Sequence, residues 1–211
     1  IASETTQVTE MIQQMAKMMA LALLFVYFVM VAQFQSLLSP FIVLFTIPLA
    51  FTGGMIGLMI GGEQLSVISL MGFLVLMGVV VNNGIVFVDY ANQLRLGGME
   101  RRAALVATGK TRMRPILMTT LTTVLAMLQM VFSNDMASQL MSGMAIVIIC
   151  GLSYATLMTL YIVPILYDIL FKKPPLNVDV GGDDLDDIPD DAAEFIAASK
   201  AAESTDLLPE A

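Results

Sequence analysis

The sequence predicts an all-α membrane protein with five transmembrane helices and an acidic C-terminal tail. Hydrophobic residues make up 57% of the 211-residue chain and charged residues only 13%, whereas a typical soluble domain has about 25% charged residues. Five apolar segments each approach or exceed the ~20 residues that a helix needs to cross a bilayer. Lys and Arg cluster in the connections on one side of these segments, as expected for a multi-pass protein.

The five predicted spans follow one another closely. The shortest are the first and the fourth, which lie near the lower limit for crossing ~30 Å of hydrocarbon. Five soluble core helices this apolar would have no solvent-facing side, so a membrane location is favoured. The spans cover about 15–33, 41–60, 65–93, 115–132 and 140–171.

The basic residues predict the orientation of the spans. Two spans separate the basic connection 95–114 from Lys172 and Lys173, so both clusters lie on the same side, which we expect to be the cytoplasm. The C-terminus would then be cytoplasmic and residues 1–14 would be an extracytoplasmic stub of a missing domain. The cytoplasmic loop 95–114 has two possible forms, an interfacial amphipathic helix or a solvated loop.

The tail 174–211 differs sharply in composition from the rest. It holds eleven of the eighteen acidic residues and one basic residue, Lys200. This composition predicts a disordered cytoplasmic tail that solubilises the chain or contacts a partner, with a short transient helix at most over 191–200. We expect no chemistry from it.

Several classes of function are disfavoured by composition. The chain has no histidine and one cysteine, Cys150, which lies in an apolar run. A disulfide, a metal site and histidine-based catalysis are therefore not expected. Residues 1–173 hold nine basic and seven acidic residues, so nucleic-acid binding has no support from charge. We expect neither an enzyme nor a cofactor.

Polar residues inside the spans are the candidate functional residues. The third span contains Asn82, Asn83 and Asp89, with Asn82 and Asp89 seven residues apart on one helix face. Polar groups within a span are costly and often functional, although the amides could simply bond neighbouring helices. Arg112 and Thr119, also seven apart, open the fourth span, where an arginine could steer a carboxylate in a proton path.

Gly53, Gly57 and Gly61 recur every four residues in the second span. They line one helix face, which is the pattern that lets two membrane helices approach closely. We interpret these glycines as a helix-packing surface.

Three strings carry a resemblance to a known family: VYFVMVAQFQSLLSPFIVLFTIPLAFTGG, GVVVNNGIVFVDYANQLRLGGMERRAALVATGKTRMRPILMTTLTTVLAM and YIVPILYDIL. They resemble RND-superfamily multidrug efflux permeases of the acriflavine-resistance type, the hydrophobe/amphiphile efflux branch. The resemblance implies a twelve-span permease of two six-helix repeats, of which this chain supplies spans eight to twelve. The N-terminal half, the seventh span and the drug-binding domains would be missing.

The resemblance also implies a mechanism and partners. Such permeases sit in the bacterial inner or plasma membrane, work as homotrimers with a membrane-fusion adaptor, and exchange protons inward for substrate outward. The proton would be the coupling ion and no other cofactor is implied. A non-transporting membrane scaffold and a lipid exporter of the same superfamily remain alternatives.

Residue by residue, the resemblance assigns a proton relay to Asn82, Asn83, Arg112 and Thr119. Asn82 departs from the family pattern, because many members have a lysine there, and an asparagine can only donate and accept hydrogen bonds. The proton-carrying aspartates belong to the missing half. Asp89 is a further possible relay residue, although it lies close to the cytoplasmic end.

Overall fold

The computed structural model describes residues 2–34, 37–172 and 190–206, and all its regular elements are helices. Five of them are long and apolar enough to cross a membrane, so the predicted fold class is confirmed. The helices are α1 (Ala2–Phe34), α2 (Leu38–Gly61), α3 (Val67–Leu96), α4 (Arg101–Phe132), α5 (Met136–Leu170) and α6 (Asp190–Asp206).

Helix α1 begins about four turns before the predicted start of the first span. Helix α1 already begins at Ala2, so residues 2–14 continue the span as helix instead of forming a separate stub. This segment contains neither glycine nor proline, and nothing in its sequence ends a helix. Polarity therefore does not mark where the helix begins, because a helix can extend beyond the hydrocarbon into water.

The connection 95–114 is mostly helical, which excludes the form predicted as a solvated loop. Helix α3 continues to Leu96, and α4 begins at Arg101 and runs through Pro115 into the apolar span without a break. The first turns of α4 are continuous with its apolar part in one helix, with Leu105 buried and Val106 exposed. The connection itself is a tight turn in which Gly98 has φ +93°, a conformation that glycine adopts without steric cost.

Helix α5 is the centre of the bundle and packs against α2, α3 and α4, while α1 contacts α2 and α3 from one side. Small residues allow α2 and α5 to approach each other closely. A Cβ on Gly53 would lie 2.6 Å from Tyr154 Cβ, and Cβ atoms on Gly57 and Gly61 would meet Cys150 and Ile146. The glycine surface of α2 thus lies directly against one face of α5.

One end of the bundle holds the α3–α4 turn and the end of α5, and we call it the basic end after Arg95, Arg101, Arg102 and Lys172. Helix α6 packs there. Its Ala192 and Ile196 join a buried cluster with Tyr90 and Leu94 of α3 and Ala104 of α4.

Residues 190–206 are therefore helical and docked, contrary to the predicted disordered tail. Apolar residues spaced four apart outweigh the acidic composition in this segment. The remaining tail residues, 173–189 and 207–211, lie outside the described part of the chain.

Candidate functional site

The candidate site is the polar seam between α3 and α4, which run antiparallel because a four-residue turn joins them. Arg112 of α4 lies over the ring of Tyr90 of α3, with its Cζ atom 4.3 Å from the ring centroid. This contact fixes how the two helices are aligned along their axes. It places Arg112 beside the turn of α3 that also carries Asp89.

The helix rise sets the depth of the other predicted residues. Asn83 lies seven residues before Tyr90 on α3, and Thr119 lies seven residues after Arg112 on α4. Seven residues correspond to about 10 Å along a helix. Because the helices are antiparallel, Asn83 and Thr119 lie at about the same depth, well inside the apolar part of the bundle.

The adjacent asparagines face different surroundings. Asn83 is buried, with 8% of its surface exposed, whereas Asn82 is exposed. Successive residues on a helix are rotated by about 100°, so one amide enters the packed interior and the other points away from it. The two asparagines therefore form no joint site among the described helices.

Thr119 is exposed as well, and its hydroxyl donates to the carbonyl oxygens of its own helix at Ile116, 2.9 Å, and Pro115, 3.1 Å. Thr122 and Thr123 bond back to α4 in the same way. These hydroxyls are satisfied locally, so they tolerate an apolar setting. Each hydroxyl oxygen keeps a free lone pair with which it can accept a further hydrogen bond.

Asp89 is half-buried and interacts electrostatically with Arg112. Gln93, one turn further along α3, donates a 3.1 Å hydrogen bond from its Nε2 to the Asp89 carboxylate. The structure thus brings together Arg112 and Asp89, whereas Asn82 and Thr119 lie on the exposed surface. The proximity of Asp89 to Arg112 was missed because it depends on how the two helices are aligned.

A second polar cluster, at the basic end, was also missed. Tyr167 of α5 is fully buried, donates a hydrogen bond to Asn92, and accepts one of 3.3 Å from Arg95. Beside it, Arg101 and Asp168 form a 2.6 Å salt bridge between α4 and α5. The available signal was the pair Tyr167-Asp168 at the end of an apolar span, where polar side chains need partners.

A buried hydrogen bond of 3.0 Å between the hydroxyls of Thr120 and Thr156 adds a further link from α4 to α5. Within residues 2–34, 37–172 and 190–206, no group of three or more Cys, Asp or Glu residues is placed to hold a metal ion. The polar chemistry of the described bundle is therefore that of amides, hydroxyls, guanidinium groups and single carboxylates.

Comparison with known proteins identifies the family. A sequence profile of the AcrB/AcrD/AcrF family matches residues 2–171, nearly all of the membrane part. The chain belongs to this family. It is thus a membrane part, with five candidate spans, of a multi-pass protein of the RND superfamily.

Individual relatives within this family carry different names. The chain is 40% identical over 155 residues to the swarming motility protein SwrC of Bacillus subtilis, covering 73% of this chain and 15% of SwrC. It is 34% identical over 152 residues to the cobalt-zinc-cadmium resistance protein CzcA of Cupriavidus metallidurans, covering 72% and 14%. The chain therefore spans about one seventh of the length of these relatives.

Among solved structures, a heavy metal efflux pump matches with a TM-score of 0.68 and 30% identity, covering 75% of this chain and 16% of the pump. A second crystal form of a heavy metal efflux pump matches with a TM-score of 0.64. The comparisons establish the RND efflux family but not the amphiphile branch that the sequence resemblance implied, because metal-resistance proteins are among the relatives.

Proposed function

We propose that this chain is the C-terminal membrane part of a proton-driven permease that exports drugs or other amphiphiles by proton antiport. Membership of the efflux family supports the transport function. The amphiphile substrate class is supported by the resemblance of the strings around Gln33–Pro40 and Arg114–Thr120 to the drug-type branch. In this proposal the protein is a transporter without enzymatic activity, and the proton is its coupling ion.

The proposal depends mainly on two exposed polar residues near the middle of their spans. Asn82 and Thr119 lie on different helices at about the same depth, and both are exposed in this chain. Moving an unpaired amide from water into an apolar medium costs roughly 2–7 kcal/mol. A face with such residues therefore favours contact with other polar groups over contact with lipid, and we expect the missing half of the permease to cover it.

In this proposal the proton relay depends on one positive charge, that of Arg112. Arg112 attracts a proton-carrying carboxylate of the missing half when that carboxylate is ionised. Asn82 and Thr119 hydrogen-bond to it and hold it at the correct depth. Because an asparagine cannot ionise, Asn82 cannot replace the lysine found in many relatives as a second cation, so Arg112 supplies the electrostatic part of the coupling.

The assembly follows the same proposal. The full-length permease would be a homotrimer in the inner or plasma membrane of a bacterium, with the basic end of this bundle in the cytoplasm. A membrane-fusion adaptor would be its partner. We place the α6 helix on the cytoplasmic side, because it packs at the basic end.

Heavy-metal export is the second candidate, and specific likenesses favour it. CzcA is named for cobalt, zinc and cadmium resistance, and the matching solved structures are heavy metal efflux pumps. The substrate-binding domains of the full-length protein would decide between the two substrate classes. The same proton relay would serve either class.

The test is complementation of a host deleted for its own efflux pumps with the full-length permease. We expect resistance to cationic dyes and detergents, unchanged tolerance of cobalt, zinc and cadmium, and loss of resistance in Arg112→Ala and Thr119→Ala at normal expression. Arg114→Ala is the matched control, because Arg114 is exposed, lies two residues from Arg112 and has no place in the relay. Metal resistance alone would favour the second candidate, and full activity of Arg112→Ala would overturn the relay.

A further inference from the structure

Arg112 rests on a single turn of α3, which we call the arginine seat (Asp89, Tyr90 and Gln93). The guanidinium carbon lies 4.3 Å from the centroid of the Tyr90 ring, well inside the ~6 Å range of a cation–π contact. Tyr90 is only 1% exposed and belongs to the cluster that joins α3, α4 and α6. The ring therefore cannot turn away without opening that packing, and it is a rigid support.

Asp89 supplies the opposite charge to the seat. Its carboxylate interacts electrostatically with Arg112, and Gln93 holds one carboxylate oxygen through the 3.1 Å hydrogen bond from Nε2. Residues four apart on a helix lie on the same face, which allows Gln93 to reach the Asp89 carboxylate. The carboxylate is fixed by α3 itself and requires no partner from another helix.

Two buried atoms in this region have no hydrogen-bond partner within the described residues: Nε of Arg112 and Oε1 of Gln93. The first is a donor and the second an acceptor. Buried polar atoms without partners are uncommon in native structures and call for an explanation. Arg112 Nε is therefore a buried donor that remains open to another acceptor while the guanidinium lies over the Tyr90 ring.

We propose that Asp89 and Tyr90 are positioning residues for Arg112: the Tyr90 ring supports the guanidinium, Asp89 is its counter-ion, and Gln93 orients Asp89. This inference rests on the proposed function, in which Arg112 acts on a carboxylate of the missing half. The inference adds that residues of α3 orient the Arg112 side chain before that carboxylate binds. A pre-oriented charge loses less conformational entropy on binding than a free arginine side chain.

The transport test compares variants that preserve or remove each contact in the full-length permease. Tyr90→Phe keeps the aromatic face, and we expect near-normal transport. Tyr90→Leu removes it, and we expect about a tenfold loss of transport rate, the scale of a desolvated cation–π contact. Asp89→Asn should lose activity and Asp89→Glu should recover much of it. Tyr161→Leu is the matched control, because Tyr161 is 70% exposed on α5.

The second readout does not depend on transport. Phenylglyoxal modifies accessible guanidinium groups, and the rate at Arg112 can be followed by mass spectrometry of the purified full-length permease. We expect faster modification of Arg112 in Tyr90→Leu and Asp89→Asn than in the wild type, Tyr90→Phe or Tyr161→Leu. Labelling of Arg114 in the same samples reports any general unfolding.

The two readouts separate the possible failures. If Arg112 labelling is the same in Tyr90→Leu as in the wild type, the seat does not hold Arg112 and the inference is overturned. If labelling changes as expected but neither the wild type nor any variant exchanges protons for substrate, the seat stands and the proposed function fails. If the wild type transports, equal transport by Tyr90→Leu and Tyr90→Phe would also overturn the inference.

Discussion

Arg101 of α4 and Asp168 of α5 form a 2.6 Å salt bridge that ties the two helices together at the basic end of the bundle. Arg101 also donates a 3.4 Å hydrogen bond from Nη1 to the carbonyl oxygen of Phe171, beyond the end of α5. The same arginine therefore satisfies a side-chain carboxylate and a backbone carbonyl. This arrangement connects the helix that carries Arg112 to the central helix of the bundle.

The salt bridge should contribute modestly to stability. Its side chains are 27% and 32% exposed, so solvent screens the charges and we expect a coupling energy of about 1 kcal/mol. The measurement is a double-mutant cycle with Arg101→Ala, Asp168→Ala and the double variant, by unfolding of the full-length permease in mixed detergent micelles. A coupling energy of zero would contradict a stabilising role of this salt bridge.

Tyr167 should contribute more than the salt bridge, because it is fully buried and its hydroxyl bonds to both Asn92 and Arg95. Tyr167→Phe keeps the stacking on Phe171 but removes both hydrogen bonds. We expect a loss of about 1–3 kcal/mol, since Asn92 is left without this donor. Tyr161→Phe, on the exposed face of α5, is the control and should change stability by less than about 0.5 kcal/mol. Equal effects of the two variants would contradict the cluster.

The glycine surface of α2 predicts opposite results for one substitution at two positions. A Cβ on Gly57 would overlap Cys150 of α5, whereas a Cβ on Gly78 of α3 would meet nothing within 4 Å. Gly57→Ala should therefore destabilise the full-length protein by about 1–3 kcal/mol through overpacking. Gly78→Ala should be neutral or stabilising by about 0.5–1 kcal/mol, because alanine favours helix. Unfolding midpoints in the same detergent compare the two, and a stable Gly57→Ala would refute the close α2–α5 contact.

Helix α6 should detach when its contact residue is charged. Ile196 is buried against Gly97 in the α3–α4 turn, whereas Ala198 is exposed on the same helix. We expect Ile196→Asp to make residues 190–206 exchange amide hydrogens rapidly, because a buried unpaired carboxylate is strongly unfavourable. Ala198→Asp should leave the exchange unchanged. Equal exchange in Ile196→Asp and the wild type would show that α6 does not depend on this docking.

Sequence reasoning was successful where apolar length decides the outcome. The five spans and the all-helical class follow from hydropathy, since a bilayer imposes a minimum helix length. The helix bounds differ from the predicted span bounds at Ala2, where no glycine or proline interrupts the polar segment, and at Arg101, where α4 continues through Gly109 and Pro115. The docking of α6 was not predicted for another reason. Ala192 and Ile196 stabilise this helix only when the surface of α3 and α4 is there for them to pack against.

The sequence predicted which residues belong to the candidate site, but it did not predict how they lie relative to one another across the two helices. Spacing placed Asn82 with Asp89 and Arg112 with Thr119, each on one helix. How α3 and α4 align depends on the four-residue turn and on the contact of Arg112 with Tyr90, which no periodicity within a single helix encodes. The same limit hid the Tyr167 cluster, whose partners come from helices more than seventy residues apart.

The most direct test of the central claim is proton exchange by the full-length permease in liposomes. A pH-sensitive dye inside the vesicles reports proton flux when an amphiphilic substrate is added. We predict substrate-dependent proton flux in the wild type and none in Arg112→Ala, while Arg112→Ala still binds the substrate. Proton flux at the wild-type rate in Arg112→Ala would contradict the account, because the α3–α4 seam would then play no part in coupling.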